Sequence, residues 1–103
     1  MHARRVDANH SEVVEQLRQA LPAATVHDLS GTGKGTPDLL IGYRGRNYLF
    51  ELKDGAKAPS RRELTPAQQD FHRKWQGQVG IAVSAAGILA AMLEDGLDPA
   101  HRT

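Results

Sequence analysis

Two short strings, P-D-L-L-I-G at Pro37–Gly42 and E-L-K at Glu51–Lys53, hold the residues best equipped for chemistry: two carboxylates and an ammonium. Two carboxylates can share a divalent cation, and Mg2+ takes one or two of them together with water and phosphate oxygens. Such a cation activates water and steadies charge on a phosphoryl group. A lysine beside it can orient or help deprotonate the water, or neutralise charge building on the phosphate. These residue types therefore suit hydrolysis of a phosphodiester, provided that the fold brings Asp38, Glu51 and Lys53 together. The backbone carbonyl of Leu52 is available as one more oxygen ligand.

A β-hairpin is the element that must position them. Asp38–Tyr43 and Asn47–Lys53 read as strands joined across Arg44-Gly45-Arg46. With Gly45-Arg46 as the centre of a two-residue turn, Tyr43 pairs with Tyr48, Ile41 with Phe50, Leu39 with Leu52, Leu40 with Glu51 and Asp38 with Lys53. Side chains alternate between faces, so Leu39, Ile41, Tyr43, Tyr48, Phe50 and Leu52 form one apolar face. Asp38, Leu40, Gly42, Leu49, Glu51 and Lys53 lie on the other. A one-residue slip would mix the two sets and bury charge, which supports the pattern. In this register Glu51 is diagonal to Asp38, and Asp38–Lys53 also reads as a plain cross-strand ion pair worth under about 1 kcal/mol.

Around the hairpin, Asn9–Leu21 reads as a helix with Val13, Val14, Leu17 and Leu21 at helical spacing, stopped by Pro22. Ala24–Leu29 is a short strand. Thr65 caps a helix that opens on Pro66 and ends at Gly77, with Phe71 and Trp75 as its buried stripe. Val79–Val83 reads as a buried strand and Ala85–Glu94 as a last helix; residues 1–8 and the tail from Gly96 read as loose. The expectation is one α/β domain, a mixed sheet flanked by helices in the order α-β-β-β-α-β-α.

The chain has 103 residues, a net charge of +1 and no cysteine. That excludes disulfides and thiolate metal sites and argues against attachment to nucleic acid by bulk charge. No signal-peptide pattern or membrane-length apolar run is visible, so a cytoplasmic protein without a membrane partner is expected. The histidines lack zinc spacing, and His72 reads as a surface residue. The glycine loop Ser30–Thr36 is not a phosphate-binding P-loop, because Gly35 and Pro37 follow Lys34 where a helix should begin.

The ordered set G-x-G-x-P-D, E-x-K and L-T-P-A-Q-Q-D-F-H-R-K-W resembles the PD-(D/E)XK nuclease superfamily, and within it the small standalone VRR-NUC type of phages and prophages. The resemblance implies a restriction-endonuclease-like core and Mg2+- or Mn2+-dependent DNA cleavage, with Asp38 and Glu51 as metal ligands and Lys53 as the catalytic lysine. It adds Glu12 as the first-helix acid, with Glu15 as runner-up, and Gln68 as the glutamine of the following helix. Both Glu12 and Gln68 also fit capping boxes, Asn9-x-x-Glu12 and Thr65-x-x-Gln68. The resemblance further implies branched or four-way-junction DNA as substrate and a homodimer. DNA contacts are expected from Ser30, Thr32 and Lys34 in the glycine loop, from Arg44 and Arg46 at the hairpin tip, and from Lys57, Arg61 and Arg62 beyond the E-x-K strand. For each group the alternative is an ordinary loop. For the chain, the alternative is a nucleic-acid-binding module of the same fold without catalysis.

Overall fold

A computed structural model describes residues 9–96, with side chains through Glu94; the expectations for residues 1–8 and for the tail beyond Gly96 fall outside them. The elements are α1 (His10–Ala20), β1 (Thr25–Asp28), β2 (Leu39–Tyr43), β3 (Arg46–Leu52), a short 3-10 turn at Pro59–Arg61, α2 (Pro66–Lys74), β4 (Gln78–Ala82) and α3 (Ala85–Gly96). The order of strands and α-helices is the expected one. The sheet runs β1-β2-β3-β4, antiparallel across β1–β2 and β2–β3 and parallel across β3–β4.

One face of the sheet carries the core. Leu39, Ile41, Tyr48, Phe50, Leu52 and Ala82 pack against Val13 and Leu17 of α1 and Ala85, Ile88 and Met92 of α3. Each aliphatic side chain withdrawn from water there contributes about 1.5–3 kcal/mol. The sorting of hairpin residues between two faces is as the alternation predicts.

The hairpin register is not. The turn is Arg44-Gly45, both with positive φ (53° and 77°), and it pairs Tyr43 with Arg46, Ile41 with Tyr48 and Leu39 with Phe50. A two-residue turn with left-handed dihedrals at both centres matches the twist of the flanking strands. The Arg44 guanidinium lies 5.2 Å from the centre of the Tyr43 ring. The result is a shift of two residues from the expected pairing, which leaves every side chain on its expected face. Extended by one residue, this register sets Asp38 opposite Glu51, not opposite Lys53.

The expected burial of α2 and of β4 fails. Helix α2 has no buried residue. Phe71 is half-buried, and Trp75 stacks on it at 5.2 Å while remaining 45% exposed. Strand β4 is an edge strand, and Ile81 is 51% exposed. Apolar spacing gave the right elements but says nothing of which strand ends a sheet. Among the described residues, no helix is long and apolar enough to cross a membrane.

Candidate active site

Asp38 follows the fully buried Pro37 into β2 and is itself only 6% exposed; Glu51, near the end of β3, is 3% exposed. Carboxyl groups directly across a strand pair have Cβ atoms about 4.5–5.5 Å apart and repel when both are ionised. Their neighbours offset this. The Leu52 backbone N–H donates to Asp38 Oδ2 at 2.9 Å. Gln68 Nε2 donates to Glu51 Oε2 at 2.9 Å, and Lys53 Nζ stands 3.7 Å from the same oxygen. Lys53 Nζ also donates to Gln68 Oε1 at 2.9 Å. Glu51, Gln68 and Lys53 thus form a closed triangle beside Asp38.

Gln68 is held by its helix terminus. Its backbone N–H donates to Thr65 Oγ1 (3.2 Å), and its Oε1 accepts from the Thr65 N–H (2.9 Å) as well as from Lys53. The capping box and the contact with the acids, opposed readings of the sequence, are made by one side chain. The cap fixes the amide so that its oxygen faces two donors and its nitrogen faces Glu51.

The other half of the predicted set is placed differently. Glu12 is exposed in the first turn of α1, and Asn9 makes no side-chain cap there. The Asn9 amide donates instead to the carbonyls of Lys53 (3.3 Å) and Val83 (3.0 Å), tying the start of α1 to the ends of β3 and β4. This brings the Glu12 turn to the site's end of the sheet. Glu15 accepts a hydrogen bond from Gln19 at 3.1 Å and joins a cleft with His10 and Asp28. Among the described residues, no three acidic or histidine side chains form a ready-made metal cage.

The glycine loop packs onto the start of α2. Gly33, Lys34 and Gly35 all have positive φ, and a Cβ on Gly35 would lie 2.2 Å from the Ala67 carbonyl oxygen. Only glycine lets the loop sit on the first turn of α2. Thr32 and Lys34 are exposed there. Ser30 is engaged elsewhere: its N–H donates to Asp28 Oδ1 at 2.7 Å. Burial pushes the Asp28 carboxyl up, but the bonds from Ser30 and the nearby His10 outweigh it and hold its pKa below the usual range. Lys57, Arg61 and Arg62 lie on the segment leaving β3, at the end of the strand that carries Glu51. Arg44 and Arg46 lie at the other end of the hairpin, about 17 Å from Glu51 at the usual strand rise.

His72, expected at the surface, is a third departure in burial. It is half-buried, and its Nε2 is buried without a hydrogen-bond partner among the described residues. Burial, and then the Lys53 ammonium, hold its pKa below that of an ordinary histidine. The available signal was its spacing: Gln68 and His72 are four apart on one helix and share a face.

The donors fit a hard divalent cation. Asp38 and Glu51 offer carboxyl oxygens from facing positions. The Leu52 N–H points toward Asp38, and in an extended strand the carbonyl of the same residue projects to that edge too. Two carboxylates and a carbonyl, completed by water, is a coordination that Mg2+ accepts and that does not need a full protein cage. Comparison with known proteins gives no family model, no curated protein and no solved structure that matches this chain.

Proposed function

We propose that this chain is a metal-dependent DNA endonuclease built on a restriction-endonuclease-like core, as its likeness to the PD-(D/E)XK nucleases of VRR-NUC type implies. The observation that carries the reading is the facing pair Asp38–Glu51 with Lys53 held beside it through Gln68. Two buried carboxyls opposite one another are unfavourable for folding, and a structural role gives no reason to keep them.

Asp38, Glu51 and the Leu52 carbonyl would hold Mg2+ or Mn2+, with Glu12 reaching it through water. The bound ion supplies Lewis acidity toward the phosphoryl oxygen and a lowered pKa for water. Lys53, fixed by Gln68, carries positive charge to the phosphate and orients the attacking water. Gln68 keeps Lys53 and Glu51 at their spacing. Lys34 and Thr32 on one side, and Lys57, Arg61 and Arg62 on the other, contact the DNA backbone, so binding should weaken steeply with salt. Gly35 sits against Ala67, next to Gln68, and the loop's backbone amides would offer further donors to the same phosphates. A branched or four-way-junction substrate, a homodimer presenting two sites to two strands, and a cytoplasmic setting in a phage or its host complete the proposal.

The test is cleavage of plasmid, flap and four-way-junction DNA with Mg2+ or Mn2+. Glu51→Gln, which keeps shape and removes a charged ligand, should remove most of the metal-dependent rate. No cutting of any substrate above that variant's level would sink the reading. Junction binding that is insensitive to Asp38→Ala, without cleavage, would point to the inactive binding module instead.

A further inference from the structure

The two edges of the sheet are treated differently. On β1, the outward-facing Val26 carbonyl accepts a bond from the Arg18 guanidinium at 3.1 Å, and the strand carries His27 and Asp28. Charges and covering side chains of this kind keep an edge strand from pairing with another chain. Strand β4 carries no charge, and among the described residues no side-chain bond is seen on its Val79 and Ile81 backbone. Its sequence is Gln78-Val79-Gly80-Ile81-Ala82, and no charged residue occurs from Trp75 to Leu93.

The backbone of β4 is also aimed outward in a defined way. Lys53 N–H donates to the Ala82 carbonyl, so Ala82 faces β3 and, by alternation, so do Gly80 and Gln78. Val79 and Ile81 therefore direct their N–H and C=O groups away from the sheet. Their side chains lie on the face of Glu51, which is level with Ile81. Ile81 (51% exposed) and Val83 (40%) leave apolar surface next to this unpaired edge.

We propose that β4 pairs antiparallel with β4 of a second copy of this chain, about a two-fold axis through Gly80. In that register Val79 of each copy exchanges both backbone hydrogen bonds with Ile81 of the other, and Gly80 meets its counterpart at a close, non-hydrogen-bonded position. The second copy is the occupant because the pattern is self-complementary. An outward pair spaced evenly about a glycine matches its own reverse, and a charge-free strand meets itself without like charges opposed. The pairing joins two four-stranded sheets into one of eight. An axis normal to the sheet keeps the faces, so both acid pairs open on the same side. The two Glu51 Cα atoms would stand about 16 Å apart, from three strand spacings across and two residues along. The pairing itself is independent of the nuclease reading; only its use by two sites depends on it.

Sedimentation equilibrium of the full chain, without DNA or metal, tests it. Wild type should sediment as a dimer at about 10–100 μM. Ile81→Lys puts a charge at the edge, and Ile81→Pro removes one outward N–H that the ladder to β3 does not use. Both should be monomeric with unchanged circular dichroism. Leu93→Lys, a change at a 64% exposed position on α3, should remain dimeric. A monomeric wild type, or a dimer surviving both Ile81 variants, overturns the proposal. So does a dimer lost only in Leu93→Lys, which would place the interface on α3. A monomer whose affinity for branched DNA falls in Ile81→Lys would assign the apolar patch to nucleic acid instead.

Discussion

The two faces of the sheet are held by different physics. Toward α1 and α3 the packed core is aliphatic and aromatic, and Leu39 and Ile88 are wholly enclosed. Toward α2 there is no buried helix residue. That helix is fastened by one glutamine bonded to Glu51 and Lys53, and by the close approach of Gly35 to Ala67. Hydrophobic burial is non-directional, so the first face fixes stability without fixing any distance. Hydrogen bonds are directional, so the second face fixes distances at a smaller gain in stability. A site that needs its carboxyls and lysine at set spacings belongs on the second face.

Leu39→Ala should have the largest effect, because it opens a cavity in the enclosed face. A loss of about 2–5 kcal/mol is expected in chemical denaturation, a large share of what a domain of this size has. Gly35→Ala comes next. Its methyl cannot share space with the Ala67 carbonyl, and its backbone would still have to hold a left-handed φ. The loop or the start of α2 must therefore shift, and DNA cleavage should fall further than thermal stability. Equal losses in both would mean that α2 is as integral as the core helices. Gln68→Ala should cost about 1.5–3 kcal/mol from bonds to charged groups, with a larger effect on cleavage than Gln68→Glu has on folding.

Asp38→Asn reverses the sign. The amide oxygen can still accept from Leu52, and one of two facing charges is gone, so the variant should melt no lower than wild type while losing cleavage. A clear drop in melting temperature would show that the pair is not repulsive. The smallest effect concerns His72. Its folded pKa is lowered, so below about pH 6.5 the unfolded chain binds a proton that the folded chain resists. Stability should therefore decline as pH falls through that range and be free of this contribution above it. His72→Gln should flatten that slope in melting curves between pH 5 and 7.

How much of this was legible in the sequence depended on which quantity alternation encodes. Facedness was, because a shift of two residues leaves it intact; that is why Asp38, Glu51 and Lys53 were rightly set apart from the apolar face. Register was not. Arg44-Gly45-Arg46 offers a glycine to either central position of a two-residue turn, and local sequence does not choose between them. Gln68 was ambiguous because capping and contact with the acids looked like alternatives, when the cap is what aims the amide. Trp75 and Ile81 looked interior because apolar spacing reports a stripe and not the strand order that would cover it. The Asn9 tether had no local signal, since its acceptors lie 44 and 74 residues away along the chain.

That tether has a consequence for how the end of the sheet is levelled. β3 and β4 are parallel neighbours, so no tight turn joins them, and the chain makes a long excursion through α2 between the two. The ladder between the two strands sets their relative height, with the Lys53 N–H on the Ala82 carbonyl as a rung near its end. Past that point, among the described residues, the strands have no further pairing to hold them level. A single amide group with two hydrogens, spanning the carbonyls of Lys53 and Val83, holds them there. Aspartate at position 9 would have the same shape and no hydrogens, and would set oxygen against oxygen at both points. The end of the sheet that carries Lys53 is thus clamped by a residue distant in sequence but adjacent in space, one that touches no chemistry.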